Sequence, residues 1–193
     1  MRYSQPPWKG CPTQGTVPLK TEKLVLRKAT MADAETLHEE LGSNPEMTRY
    51  TSWNPYSTLE AAKEKVQDDI AGYEKEGCYA WIIEHAGTAV GTIGAYDYDP
   101  HLSSIEIGYS IFQKFWGKGY ASEAASEVVR FLICEEGINR IHAWCHADNR
   151  ASAAVLTRAG LRQEGVLRQA MKNPDGSYAD QLIFGIVKND YKK

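Results

Sequence analysis

The residues best suited to chemistry in this 193-residue chain lie between Ile105 and Glu123, in the string IEIGYSIFQKFWGKGYASE. An alternating strand pattern runs into Trp116-Gly117-Lys118-Gly119-Tyr120-Ala121 and from there straight into a helix pattern. Small residues at such a turn let backbone N–H groups point outward, and the helix N-terminus adds partial positive charge, so a turn of this kind binds phosphate. Each contribution is about 0.3–1 kcal/mol when exposed, yet several converging on a pyrophosphate anchor a ligand. Spacing narrows the choice of ligand. A dinucleotide fingerprint needs Gly or Ala three residues after its second glycine, where Ser122 stands. A P-loop needs Ser or Thr after its lysine, but Lys118 is followed by Gly119. Neither pattern fits, and a plain tight turn before a helix is the competing reading.

The elements around this turn follow from periodicity. Lys23 to Ala29 alternates as a strand, and Thr30 offers an N-cap to a helix carrying Ala34, Leu37 and Leu41. Ser57-Thr58-Leu59-Glu60 is a capping-box pattern for a second helix, with Ala62, Val66, Ile70 and Tyr73 on one stripe. Between them, the aromatic and proline-punctuated segment from Asn44 to Tyr56 reads as an ordered loop. Its Tyr50, Trp53 and Tyr56 either line a cleft or pack in the core. Tyr79 to Glu84 and Thr88 to Tyr98 make a hairpin across Ala86-Gly87, and Ser103 to Phe112 is a further strand. From Ala121 the period changes: Ala121, Ala124, Ala125, Val128, Val129, Leu132 and Ile133 form an unbroken helical stripe. Asn139 to Cys145 is the next strand, Asp148 or Asn149 caps a short helix, and two strands around Pro174-Asp175-Gly176 close the chain. The order implies one α/β (α+β) mixed sheet with helices on both faces.

Composition excludes several classes. Lys plus Arg number 22 and Asp plus Glu 25, a net charge of −3, which gives no electrostatic footprint for nucleic acid. No run of about 18 apolar residues spans a membrane, and the first 20 residues lack the apolar region of a secretory signal. Those residues hold four of the eight prolines and read as an N-terminal arm, 1–20, that frays or drapes over a domain at 21–193. Four dispersed cysteines without a CxxC pair (Cys11, Cys78, Cys134 and Cys145) fit reduced thiols in a cytoplasmic protein. His142, Cys145 and His146 do not make a metal site, because strand alternation turns Cys145 away from the two histidines. Met31, Met47 and Met171 read as core filler.

The chain resembles the GNAT N-acetyltransferase superfamily, whose cofactor motif Q/R-x-x-G-x-G/A opens a helix. Here that window is Trp116 to Ala121, with Trp116 where Gln or Arg is usual. FWGKGYASEA looks like the RimJ/RimL-type branch, the ribosomal-protein N-acetyltransferases. Thr21 to Arg27, Ile107-Gly108-Tyr109, Asn149-x-x-Ser152 through Leu161, and Asp175 to Asp180 agree in order, so the likeness covers roughly residues 21–190.

The resemblance implies a sheet, mostly antiparallel, that is splayed at the cofactor site, and acetyl transfer from acetyl-CoA to an amine by direct attack. Cofactor-binding residues would be Tyr109, Ser110 and Ile111 on the splayed strand, Trp116, Gly117, Lys118, Gly119, Tyr120 and Ala121 at the turn, and Asn149 with Ser152. One backbone N–H at Tyr109, Ser110 or Ile111 would donate to the thioester oxygen, a contribution worth about 2.7–4 kcal/mol. The tyrosine that many members use as proton donor is replaced, by register, with Leu156, and Ser152 matches the serine of RimL-type enzymes. Ser152 as an ordinary first-turn residue and Asn149 as a simple cap are the alternatives. Glu106 is the candidate base or a plain cross-strand partner, and Glu164 is its rival. The implied acceptor is the α-amine of a protein, with a small-molecule amine or a non-catalytic acyl-CoA module as alternatives. A homodimer stays open, and neither nucleic acid nor membrane is an expected partner.

Overall fold

The computed structural model of the protein describes residues 14–51, 54–75 and 77–192. Among these residues eight strands form one sheet: β1 (Leu19–Lys20), β2 (Val25–Arg27), β3 (Tyr79–His85), β4 (Thr88–Asp99), β5 (Ser104–Ile111), β6 (Arg140–His146), β7 (Arg162–Lys172) and β8 (Tyr178–Val187). Their order is β1-β2-β3-β4-β5-β6-β8-β7, and only β5 and β6 run parallel. The helices are α1 (Asp33–Leu37), α2 (Pro45–Thr48), α3 (Leu59–Gly72), α4 (Tyr120–Cys134) and α5 (Arg150–Arg158).

Alternation along each strand divides the apolar side chains between two cores. Trp81 and Ile83 of β3 enter the larger core with Ile93, Ile107, Ile141 and the apolar stripe of α4. Ile82, between them, faces the smaller core with Leu37, Val66 and Phe112. The stripe residues Ala124, Ala125, Val128, Val129 and Leu132 are all completely buried, and each full burial of a large aliphatic contributes about 1.5–3 kcal/mol.

Residues 14–20 lie against this body. Leu19 and Lys20 pair with β2, Thr16 and Leu19 are buried, and the Trp81 indole N–H donates to the Val17 carbonyl at 2.7 Å. Glu136, buried just beyond α4, accepts from the Gln14 N–H at 3.2 Å and from the Tyr79 hydroxyl at 2.9 Å. Trp8 and Cys11 fall outside the described residues.

Three local expectations are corrected. Thr58, one residue after Ser57, is the N-cap of α3, its hydroxyl accepting from the Ala61 N–H. Thr30 does not cap α1. Arg27 holds the Asp33 carboxylate at 2.7 Å, and the carboxylate reaches back to accept from the Thr30 N–H and hydroxyl. Met31, at this bend, is exposed and fills no core.

Burial opposes ionisation of Asp33, but the Arg27 guanidinium and the Thr30 donors outweigh it and hold its pKa below the ordinary value. A carboxylate depressed in the folded state contributes stability above its unfolded pKa and loses it as pH falls through the folded value. Asp33→Asn is therefore expected to cost about 1.5–3 kcal/mol at neutral pH. Thermal melts should show the difference from wild type closing in acid, and a gap independent of pH would refute the assignment.

The sheet is open at one seam. β5 and β6 pair only over Ser104–Arg140, Ile105–Ile141 and Glu106–His142. Beyond Glu106, β5 stays with β4 as far as Ile111, while β6 continues against β8 as far as His146.

Candidate active site

The seam exposes a strand edge whose polarity follows from register. The Phe112 N–H donates to the Val90 carbonyl at 2.9 Å, and Gly91 lies opposite Ile111. In an antiparallel ladder the hydrogen-bonding direction alternates, so Ser110 and Gly108 spend their backbone groups on β4. Ile107, Tyr109 and Ile111 direct theirs into the seam. Of the three amides anticipated at this edge, that of Ser110 is thus committed elsewhere. The Ile111 carbonyl accepts from the Trp116 indole N–H at 2.6 Å, which ties the following turn back to the strand. This is what tryptophan does at the position where Gln or Arg was expected.

The turn itself has two left-handed glycines, Gly117 at φ +75° and Gly119 at φ +83°, the latter being the N-cap of α4. Among the described residues no side chain caps this end, so the first amides of α4 stay available, and a Cβ at either glycine would meet none of their atoms within 4 Å. Glu123, in the first turn, is drawn aside by the Thr21 hydroxyl at 2.5 Å and the Lys23 N–H at 2.9 Å. That contact keeps a carboxylate from competing at the helix mouth. Lys118 lies over the Phe115 ring, 5.0 Å from its centroid, and keeps a positive charge at the turn. Free amides, a positive helix end and open space suit a diphosphate. The bare edge of Tyr109 suits an amide-rich chain.

On the α4–α5 side of the seam, the Tyr109 hydroxyl lies 2.9 Å from Ser152 Oγ and donates to the Ser152 carbonyl at 3.1 Å. Asn149 is the N-cap of α5, its Oδ1 accepting from the Ser152 N–H at 3.0 Å. Burial pushes the Tyr109 phenol well above its usual value, although Ser152 works against this. Burial likewise raises the Cys145 thiol, which also lies beside Ser152. Leu156, one turn further along α5, is fully buried and carries no polar group to the seam. The Tyr109 hydroxyl was not anticipated; its residue was expected to act only through its backbone.

On the opposite face, Glu106 lies directly across from Tyr96 of β4 and beside His142 of β6. The Tyr96 hydroxyl and the Trp144 side chain lie beside its carboxylate and favour its charged form, and His142 Nε2 lies 3.6 Å from Oε2. Burial raises the Glu106 pKa against the opposing pull of Tyr96, His142 and Trp144. Gly108 makes room for this arrangement, since a Cβ there would lie 2.5 Å from the Tyr96 hydroxyl oxygen. Glu164, the rival carboxylate, is bound by Arg140 at 2.9 Å, and that pairing lowers its pKa. A carboxylate so held is a poor proton acceptor. A cleft of about 550 Å³ joins both sides, lined by Tyr50, Tyr56, Glu106, Tyr109, Asn149 and Ser152 among others. Trp53 falls outside the described residues. His146 is buried and bonded to Asn173 at 2.9 Å, and no cluster able to hold a metal occurs among the described residues. Nor is any helix among them long and apolar enough to cross a membrane.

A mixed sheet parted at one parallel pair, with a glycine turn at the mouth of the following helix, defines an acetyltransferase of the GNAT type. The chain belongs to that family: residues 23–162 match the acetyltransferase (GNAT) domain. It is 37% identical over 172 residues to the uncharacterized N-acetyltransferase YoaA of Bacillus subtilis, covering 88% of this chain and 96% of that protein. The [ribosomal protein uS5]-alanine N-acetyltransferase of Escherichia coli is 32% identical over 85 residues, 44% of this chain and 43% of that enzyme. RimL, the ribosomal L7/L12 alpha-N-protein acetyltransferase solved with coenzyme A, superposes with a TM-score of 0.80 at 24% identity, covering 86% of this chain and 95% of that one. The protein is an N-acetyltransferase, and the acetyl donor of its family is acetyl-CoA.

Proposed function

We propose that this enzyme acetylates the N-terminal α-amine of a protein or peptide, by direct attack of the amine on the donor. The observation that carries the reading is the single cleft that reaches Glu106 on one face of the sheet and Ser152 on the other. Bound acetyl-CoA supplies an acetyl group activated as a thioester. The amides of Tyr120 and Ala121, with Gly117, Lys118 and Gly119, hold its diphosphate, and the Tyr109 edge holds its amide-rich arm. The Tyr109 or Ile111 N–H donates to the acetyl oxygen. Ser152, oriented by Asn149 and Tyr109, gives a proton to the departing sulfur, and Glu106 takes one from the amine. A covalent acyl-cysteine is disfavoured, because the raised thiol of Cys145 is seldom the thiolate that such chemistry needs.

The α-amine is preferred on acid–base grounds. Its pKa is about 7.7–8.0 against about 10.4 for a lysine side chain, so a single half-buried carboxylate can deprotonate it near neutral pH. The ribosomal-protein acetyltransferases among the relatives support the same choice. A small-molecule amine is the second reading, favoured by a cleft volume within the roughly 300–1,000 Å³ of ordinary ligand pockets. Incubation with acetyl-CoA and a panel of free and N-blocked peptides beside small amines separates the two. Acetylated peptide α-amines, identified by mass spectrometry, are the expected product. Turnover of small amines alone would reassign the acceptor, and tight CoA binding without turnover would leave only a binding module.

Ser152→Ala is expected to lower kcat by about ten- to a hundredfold, as for loss of a positioned proton donor, with coenzyme A affinity retained in calorimetry. Tyr109→Phe should lose part of that, and the double variant no more than Ser152→Ala alone. An undiminished kcat in Ser152→Ala would reduce Ser152 to a helix residue.

A further inference from the structure

We infer that His142 is the exit through which the proton taken by Glu106 reaches solvent. The inference rests on the reading of Glu106 as the base. An acceptor entering as an ammonium group carries three N–H protons, and the amide product carries one. As the N–C bond forms and the C–S bond breaks, one of the two lost protons ends on the departing sulfur. The other reaches bulk water, and Glu106 must be unloaded before the next turnover.

The carboxylate cannot discharge directly with ease. Its side chain is only 15% exposed, and the Tyr96 hydroxyl and Trp144 side chain stand beside it. Tyr96 does not carry protons near neutral pH, because a phenol ordinarily ionises at about 10 and desolvation of its hydroxyl raises this one further. An indole only donates. His142 remains, its Nε2 3.6 Å from Glu106 Oε2, a gap that a small rotation of either side chain closes. Its Nδ1 lies 3.3 Å from Ser104 Oγ, which orients the ring, and its side chain is 31% exposed, about twice as open as that of Glu106. Imidazole is the side chain that exchanges protons most readily near neutral pH.

The surroundings suit a transient positive charge. From β7, Glu164 lies close to the imidazole and is kept ionised by Arg140 of β6. Asp97 of β4 adds a second negative charge near Glu106, and Gly185, opposite His142 on β8, contributes no side chain. The proton therefore moves from the half-buried carboxylate to an imidazole at the solvent edge, flanked by an acidic group that does not itself compete for it.

His142→Gln keeps a polar partner for Ser104 but cannot relay a proton. With acetyl-CoA and the fastest amine of the acceptor panel, this variant is expected to lose roughly tenfold in kcat in dilute buffer and to recover in concentrated imidazole buffer. Its coenzyme A affinity by calorimetry should equal that of wild type, since His142 lies away from the cofactor turn. Should the variant not fold, Ser104→Ala is expected to show a smaller loss with the same rescue. Wild-type kcat at every buffer concentration, or a loss that buffer does not repair, overturns the relay. Glu106→Gln distinguishes the two readings: a fully active Glu106→Gln removes the base and the relay together. An inactive Glu106→Gln beside a wild-type His142→Gln removes the relay alone.

Discussion

Gly119→Glu is expected to abolish measurable coenzyme A binding while the fold survives. Gly119 is the left-handed N-cap of α4, and a side chain there would project into open space in front of unsatisfied amides. A carboxylate in that space would take the amides for itself and repel the diphosphate. Losing two charge-assisted hydrogen bonds at about 1.5–3 kcal/mol each weakens binding by a hundredfold or more. The left-handed backbone costs a non-glycine residue about 1–2 kcal/mol, a fraction of the roughly 5–15 kcal/mol that holds a domain together. Gly119→Asn isolates the electrostatic part, because Asn tolerates the left-handed region and carries no charge. It should bind more weakly than wild type and more tightly than Gly119→Glu. Calorimetry reads all three, and an unchanged affinity in Gly119→Glu would contradict the assignment of the diphosphate to this turn.

The second large effect belongs to the other face of the sheet. Glu106→Gln is expected to reduce kcat/KM by about 10²–10⁴, the usual contribution of a positioned general base. Burial raises the Glu106 pKa above the ordinary carboxylate value of about 4.3, so its carboxyl takes up a proton earlier as pH falls. Activity is accordingly expected to decline on the acid side through that raised pKa, and the limb should vanish in Glu106→Gln. Stability should not suffer, since an amide avoids the burial of a charge. A melting temperature at or above that of wild type, with coenzyme A affinity intact, would mark the loss as chemical. An acid limb that persists unchanged in the variant would assign the titration to another group.

How much of this was legible beforehand can be judged residue by residue. The stripe from Ala124 to Leu132 and the alternation of Trp81, Ile82 and Ile83 were visible in the chain, because each depends only on the local repeat of helix or strand. The glycine turn was visible as well: a left-handed N-cap demands glycine, and that demand is written in one residue. Asn149 as the cap of α5 follows from side-chain chemistry within three residues. Other features were not legible. Alternation put Glu106 on the same face as Gly108 and Ser110, but not opposite Tyr96 or beside His142. Those neighbours come from the registers of β4 and β6.

The amino-acid order by itself determined most of the elements, their inward faces and the glycine turn before α4, because each rests on interactions between residues close in the chain. The short α2, inside the segment read as a loop, escaped it. Tertiary structure alone decided that β5 and β6 part after three pairs, and that the Tyr109 hydroxyl meets Ser152 across that opening. It also decided that the Trp116 indole closes on Ile111 and that Arg140 withdraws Glu164. The reason is physical: which side chain faces which across a sheet depends on strand order and register. These are set by how the whole core packs, and no local repeat encodes them.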